Sequence, residues 1–234
     1  MSQMGAGRLL LLACALALPV LSSCTAPAQL LMAAIPDGTL SVLLSHFESA
    51  PSANRQRVAE LESRGDWVGL AQFAEDNMAK DRPNAAWWMV AGYAYSQQKQ
   101  HARAIQCFNE MVRLEPDMAD GWNLLAQEYR TIGEPQRAVS LLNNALLAVR
   151  DSPSMMFLLA ESYSDLNRHE LAAKAYQQTT QMKSDFTQAW TGLARSYVRL
   201  GRLGDARDIA RSLEKSQPET AAAIEREIAA AGRR

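Results

Sequence analysis

Trp88-Met89-Val90-Ala91-Gly92-Tyr93-Ala94-Tyr95 decides the fold, because a stretch of the same design returns three more times. Thirty-four residues on stands Trp122-Asn123-Leu124-Leu125-Ala126-Gln127-Glu128-Tyr129, then Met156-Phe157-Leu158-Leu159-Ala160-Glu161-Ser162-Tyr163, then Trp190-Thr191-Gly192-Leu193-Ala194-Arg195-Ser196-Tyr197. Sixteen residues after each first position comes an alanine: Ala104, Ala138, Ala172 and Ala206. A period held four times without insertion marks an array of like structural units. Within the first copy, Trp88, Ala91, Gly92 and Tyr95 fall at i, i+3, i+4 and i+7, one face of a helix. Ala104, Ile105, Phe108 and Met111 mark a second helix behind it. Short polar turns separate the halves: Lys99-Gln100-His101, Gly133-Glu134-Pro135, Asn167-Arg168-His169 and Gly201-Arg202-Leu203-Gly204. Gly133 and Gly201 suit the left-handed conformation that ends a helix, and Pro135 suits the first turn of the next.

The small residues have a mechanical reading. Two helices approach closely only where side chains are short, and Gly92, Ala126, Ala160 and Ala194 mark one such place in each unit. The four alanines that begin at Ala104 mark the other, and the Trp and Tyr residues fill the gaps between neighbouring helices. On these residues the chain resembles the tetratricopeptide repeat family, with its Trp–Leu–Gly/Ala–Tyr–Ala–Phe–Ala–Pro pattern. The resemblance implies an all-α, right-handed superhelix (solenoid) of helix-turn-helix repeats, with units at 85–118, 119–152, 153–186 and 187–220. Residues 51–84 read as a degenerate fifth unit. Gly65-Asp66-Trp67, Leu70, Phe73 and Ala74 match its second helix, whereas Asn54 and Arg57 stand where Trp and Leu belong. Residues 221–234 read as a C-terminal capping helix, with Glu225, Arg226 and Glu227 on a solvent-exposed face.

The first 23 residues are of another kind. Arg8 is their only charge, and Leu9 to Leu21 form an apolar stretch too short to span a membrane and suited to a signal-peptide core. Leu21-Ser22-Ser23-Cys24 resembles the lipobox of bacterial lipoproteins, which implies cleavage after 1–23 and lipid attachment to Cys24. Several acyl chains on one residue, palmitate among them, anchor a protein stably where one chain does not. Thr25, in place of Asp, points by the same resemblance to the outer membrane of a Gram-negative bacterium, facing the periplasm. Cys107 would then be the one thiol left, and beside Phe108 on a packed helix it reads as a small buried hydrophobe. Residues 24–50 form a lipid-anchored linker in which Leu40, Leu43, Leu44 and Phe47 share one helical face. This short amphipathic helix either caps the first repeat or lies against the membrane surface.

Composition narrows the function. Apolar residues make up 48% of the 234, enough for a core, and the net charge of −1 gives no electrostatic case for nucleic acid. No Gly-rich phosphate loop, His-Glu-x-x-His, Cys-x-x-Cys or Asp-rich calcium loop occurs, so no catalytic residue, metal or cofactor is expected. His46 and His101 stand isolated, and His169-Glu170 sits in a turn where both should be solvated. In the family that this chain resembles, the first helices of successive units line a concave groove that holds a peptide or partner helix. Carried over, the inner positions are Met89, Tyr93 and Gln97; Asn123, Gln127 and Arg130; Phe157, Glu161 and Asp165; Thr191, Arg195 and Arg199. Amides in a row can hydrogen-bond an extended backbone, with Tyr93 and Phe157 as apolar anchors; a plain solvated inner surface is the alternative. The Lys and Asn clamp by which chaperone-binding members hold a terminal carboxylate is absent, because Met89, Tyr93 and Leu124 take its places. The expectation is a non-enzymatic envelope scaffold that binds a protein or peptide to assist assembly of a pilus or secretion structure. Regulation of cell-wall enzymes or of outer-membrane protein assembly is an alternative. A glycan ligand would be favoured by joint exposure of Trp87 and Tyr93.

Overall fold

The computed structural model describes residues 52–80 and 84–232, and the signal, Cys24 and linker readings fall outside them. Among the described residues there are eleven helices and no strand. They pair as α1 (Ser52–Ser63) with α2 (Trp67–Met78), α3 (Ala85–Gln97) with α4 (His101–Leu114), and α5 (Ala119–Thr131) with α6 (Pro135–Ala148). Next come α7 (Pro153–Asp165) with α8 (His169–Met182) and α9 (Thr187–Arg199) with α10 (Leu203–Leu213), before α11 (Pro218–Ala231) closes the array. The first helices of four successive pairs start 34 residues apart, at Ala85, Ala119, Pro153 and Thr187. The sequence period is therefore a structural period, and the chain is an all-α solenoid of helical repeats.

The turns explain how the period is kept. Residues 65, 99, 133, 167 and 201 all have positive φ: Gly65 +66°, Lys99 +60°, Gly133 +77°, Asn167 +57° and Gly201 +73°. At each, the next residue's N–H reaches back to a carbonyl five positions earlier: Asp66 to Leu61, Gln100 to Tyr95, Glu134 to Tyr129, Arg168 to Tyr163 and Arg202 to Tyr197. These bonds satisfy orphan carbonyls at the helix end. Glycine serves at three of the five places. Lys99 and Asn167 hold the same conformation in spite of their Cβ atoms, so the tertiary period overrides local preference there. Short acidic and amide side chains cap two helix starts: Asp66 Oδ1 accepts from Gly69 N at 2.9 Å, and Asn84 Oδ1 from Ala86 N at 2.8 Å.

Packing follows the small and large residues. Ala104, Ala138, Ala172 and Ala206 are all fully buried. A methyl group on Gly92 would stand 2.5 Å from Phe108 Cε1, and one on Gly192 would stand 2.4 Å from Tyr176 Cζ. Trp122 Nε1 donates to Pro116 O and Trp190 Nε1 to Ser184 O, each at 2.8 Å and each six residues back. Met156, in the corresponding slot, supplies only bulk. The core divides into two clusters that meet on α7: Leu158 and Leu159 belong to the N-terminal one, and Phe157 and Ala160 to the C-terminal one. In the first helix pair, α1 buries only Val58 and Leu61, with Asn54 Nδ2 donating to Asn77 Oδ1.

Candidate functional site

Because the side chains of first helices repeat every 34 residues, the inner face is a set of aligned positions. Most of its polar residues reach a neighbouring unit. Tyr93 Oη donates to Glu62 Oε1 of α1 at 3.4 Å. Ser96 Oγ of α3 donates to Glu128 Oε2 of α5 at 2.8 Å. Asn123 Nδ2 of α5 donates to Ser154 Oγ of α7 at 2.9 Å. Arg195 Nη2 of α9 donates to Glu227 Oε1 of α11 at 2.7 Å. The partners lie 31 or 32 residues apart in each case, a few residues short of the 34-residue repeat, so each bond runs between neighbouring units.

The densest knot is at the middle. Arg130 is only 7% exposed at its side chain and uses its whole fork. Its Nε donates to Asp165 Oδ2 at 2.7 Å, Nη1 to Gln127 Oε1 at 3.0 Å and Nη2 to Glu161 Oε2 at 3.0 Å. Burial opposes the Arg130 charge, but the Asp165 hydrogen bond and the Glu161 and Asp165 charges outweigh it and raise the pKa above its ordinary value. Tyr176 Oη, from α8, donates to the other oxygen of Glu161. Burial, then the Glu161 charge, pushes that phenol far above its usual range. Gln127, Arg130, Glu161 and Asp165, four of the expected inner positions, thus satisfy one another across α5 and α7, and Tyr176 joins them from α8.

The inner positions therefore fall into two groups. Asn123 and Gln127 are buried, at 1% and 3% exposure, so their amides face protein and not a ligand backbone. Phe157 is a core residue, 4.9 Å between centroids from Phe186 and stacked on it, which removes it as an accessible anchor. Met89 is buried too. Tyr93 is half-buried, its ring 5.7 Å from that of Trp67 in an edge contact, and Gln97 is half-buried beside a small cavity lined by Ser96, Lys99, His101, Gln127, Glu128 and Thr131. Thr191 is half-buried, and Arg195 and Arg199 are exposed. Trp87 is buried against Phe73, so the joint exposure of Trp87 and Tyr93 that would favour a glycan is not met.

Three expectations change. His101 is isolated in sequence, yet its Nδ1 lies 2.5 Å from Oε1 of Glu128, a buried carboxylate of the next unit. His169 is not simply solvated, because its Nδ1 is buried without a hydrogen-bond partner. Glu227 does not face open solvent but turns to Arg195, whose pKa is raised chiefly by that hydrogen bond. Glu128 and Glu227 are the inner-face residues that the sequence reading missed; the signal was a partner one unit away. Among the described residues no group of three His, Cys, Asp or Glu could hold a metal, and no helix is long and apolar enough to cross a membrane. Cys107 is buried, and its thiol is pushed up to about 11, mainly by burial.

Comparison with known proteins agrees with this architecture. Family models described as tetratricopeptide repeat match residues 86–118, 123–185 and 157–221, together more than half of the chain. Over 157 residues the chain is 26% identical to Protein bimA of Emericella nidulans, covering 67% of this chain and 15% of that protein. It is 27% identical over 120 residues to Superkiller complex protein 3 of Mus musculus, covering 51% of this chain and 8% of that one. The chain spans less than a sixth of the length of these curated relatives. A crystal structure of MamA protein superposes with a TM-score of 0.60 at 19% identity, covering 73% of this chain and 93% of that one. YrrB, described as a TPR protein with an unusual peptide-binding site, superposes with a TM-score of 0.56 at 14% identity, covering 80% and 98%. At such identities the likeness concerns the fold.

Proposed function

This chain belongs to the tetratricopeptide repeat family, and from that premise we propose that it is a lipid-anchored scaffold that captures a protein or peptide on the inner face of its superhelix. Its address is the periplasmic side of the outer membrane, through lipid on Cys24, and its task is assembly of an envelope or secreted structure of the pilus or secretion kind. The address rests on the lipobox-like Leu21-Ser22-Ser23-Cys24 and on Thr25. The single observation that carries the binding role is the unequal state of the inner face. Its middle is closed by bonds between units, whereas Tyr93, Gln97, Thr191, Arg195 and Arg199 keep surface to offer. Aromatic and arginine residues are the types that dominate binding energy at interfaces. The peptide-binding site in the description of YrrB is consistent with this use of the fold.

The test is a pull-down from detergent-solubilised membranes, with the lipidated protein as bait and a Tyr93→Ala/Arg195→Glu variant as control. A partner held by the first and lost by the second is the expected result. A partner held equally by both would move the site off the inner face. Cys24→Ser should abolish incorporation of an alkyne-labelled fatty acid, and labelling that persists would overturn the anchor.

A further inference from the structure

The inner face ends in a cleft of about 430 Å³ between α9 and α11, lined by Arg195, Val198, Arg199, Glu227, Ala230 and Ala231. Arg195 and Arg199 stand one helical turn apart, so their heads share a side. Only one of them is engaged. Arg195 bonds Glu227, yet half of its side chain remains exposed. Arg199 is exposed, and among the described residues it has no ion-pair or hydrogen-bond partner. Among the described residues two guanidinium groups thus face one carboxylate, beside an apolar wall of Val198 and two alanines whose short side chains leave the room. The contrast with Arg130 is direct: there, two carboxylates and an amide saturate a single guanidinium.

We propose that this cleft binds an acidic side chain, Asp or Glu, of a protein partner with an apolar residue next to it, and that Glu227 is an internal carboxylate that holds Arg195 until the partner's carboxylate replaces it. The proposal rests on the inner-face reading above and names the ligand class for its C-terminal end. A carboxylate is the group that two neighbouring guanidinium forks recognise with geometry as well as charge. Glu227 is one-third exposed, so it can turn to water without burying an unpaired charge. Its presence makes the site selective. A neutral ligand gains nothing by breaking the Arg195–Glu227 pair, whereas an acid restores that pair and neutralises Arg199 as well.

The full chain is titrated against a fluorescein-labelled hexapeptide of alternating Glu and Leu, with the Gln–Leu counterpart as control, by fluorescence anisotropy at low salt. The Glu peptide should bind about tenfold more tightly than its Gln counterpart, and Arg199→Gln should remove about that factor. Glu227→Gln should tighten binding by about three- to tenfold, because the competitor is gone, and raised salt should erase the preference. Equal binding of the two peptides, or a Glu227→Gln variant that binds no better, would overturn the proposal. Both substituted residues are at least partly exposed, and unchanged melting of the two variants confirms that they fold. The two readings fail separately. Partner capture lost in a single Tyr93→Ala variant while the peptide ignores Arg199 and Glu227 leaves the scaffold standing and removes the cleft. Peptide binding that depends on Arg199 while capture ignores Tyr93 does the reverse.

Discussion

Arg130 and Arg195 lie on the same face of the same kind of helix, 65 residues apart, and live in different surroundings. Arg130 is held by Gln127, Glu161 and Asp165 and is all but withdrawn from solvent. Arg195 has one partner, Glu227, and solvent on the other side. An arginine in a repeat groove is therefore not a ligand group by position alone. What decides is whether the adjoining first helix offers enough acceptors to saturate it. In the middle of the array α7 offers two carboxylates; at the end α11 offers one, and α9 carries a second arginine. The middle welds units together, and the end keeps arginines that their neighbours do not saturate.

The largest effect that should sharpen this contrast is Arg130→Ala, which strands the carboxylates of Glu161 and Asp165 and should cost about 3 kcal/mol in chemical denaturation. Adding Glu161→Gln to that variant should recover part of the loss; no recovery would mean that stranded charge is not the cause. Next comes Gly192→Ala, whose methyl would press on the buried ring of Tyr176, the residue that donates to Glu161. A ring confined in a packed core gives little, and the cost should be about 2 kcal/mol. An unchanged melting curve would show that the α8–α9 approach is looser than the geometry implies. Arg195→Ala should cost less than about 1 kcal/mol, because exposed pairs are worth little. A loss as large as that of Arg130→Ala would break the comparison outright. Smallest in stability terms is Cys107, where the contrast between buried and exposed is read as a rate. With its thiol pushed up to about 11, it should react with Ellman's reagent at pH 8 far more slowly than the urea-unfolded chain does. Equal rates would show that α4 opens freely.

Much of the fold could be read from the chain because packing repeats its demands. Ala104 and its three counterparts mark the close approach of helices, and all four are fully buried. The left-handed turns were legible only where glycine stands, at Gly133 and Gly201. Lys99 and Asn167 adopt the same backbone because flanking helices of fixed length impose it, and no local signal announces that. The inner face was legible as a place and misread in part as chemistry. A polar residue at the fifth or ninth position of a unit looks the same whether it meets a ligand or a neighbour. Asn123 Nδ2 meets Ser154 of the next unit, and Gln127 buttresses Arg130 on its own helix, so both side chains are engaged within the protein. Complementary residues 31 or 32 positions apart, such as Arg130 with Glu161, carried that information once the register was known. Glu227 was hidden for another reason. The roll of the capping helix is set by burial of Ala221, Ile224 and Ile228, and the repeat pattern does not encode it.

The most direct test of the account is a pair of double-mutant cycles in chemical denaturation, one over Arg130 and Glu161 and one over Arg195 and Glu227. Contacting charges inside a network should couple by about 1–3 kcal/mol, and an exposed pair by less than about 0.5 kcal/mol. Strong coupling at Arg130–Glu161 with weak coupling at Arg195–Glu227 is the predicted result. Equal coupling at the two sites would contradict the division of the inner face into a closed middle and an open end.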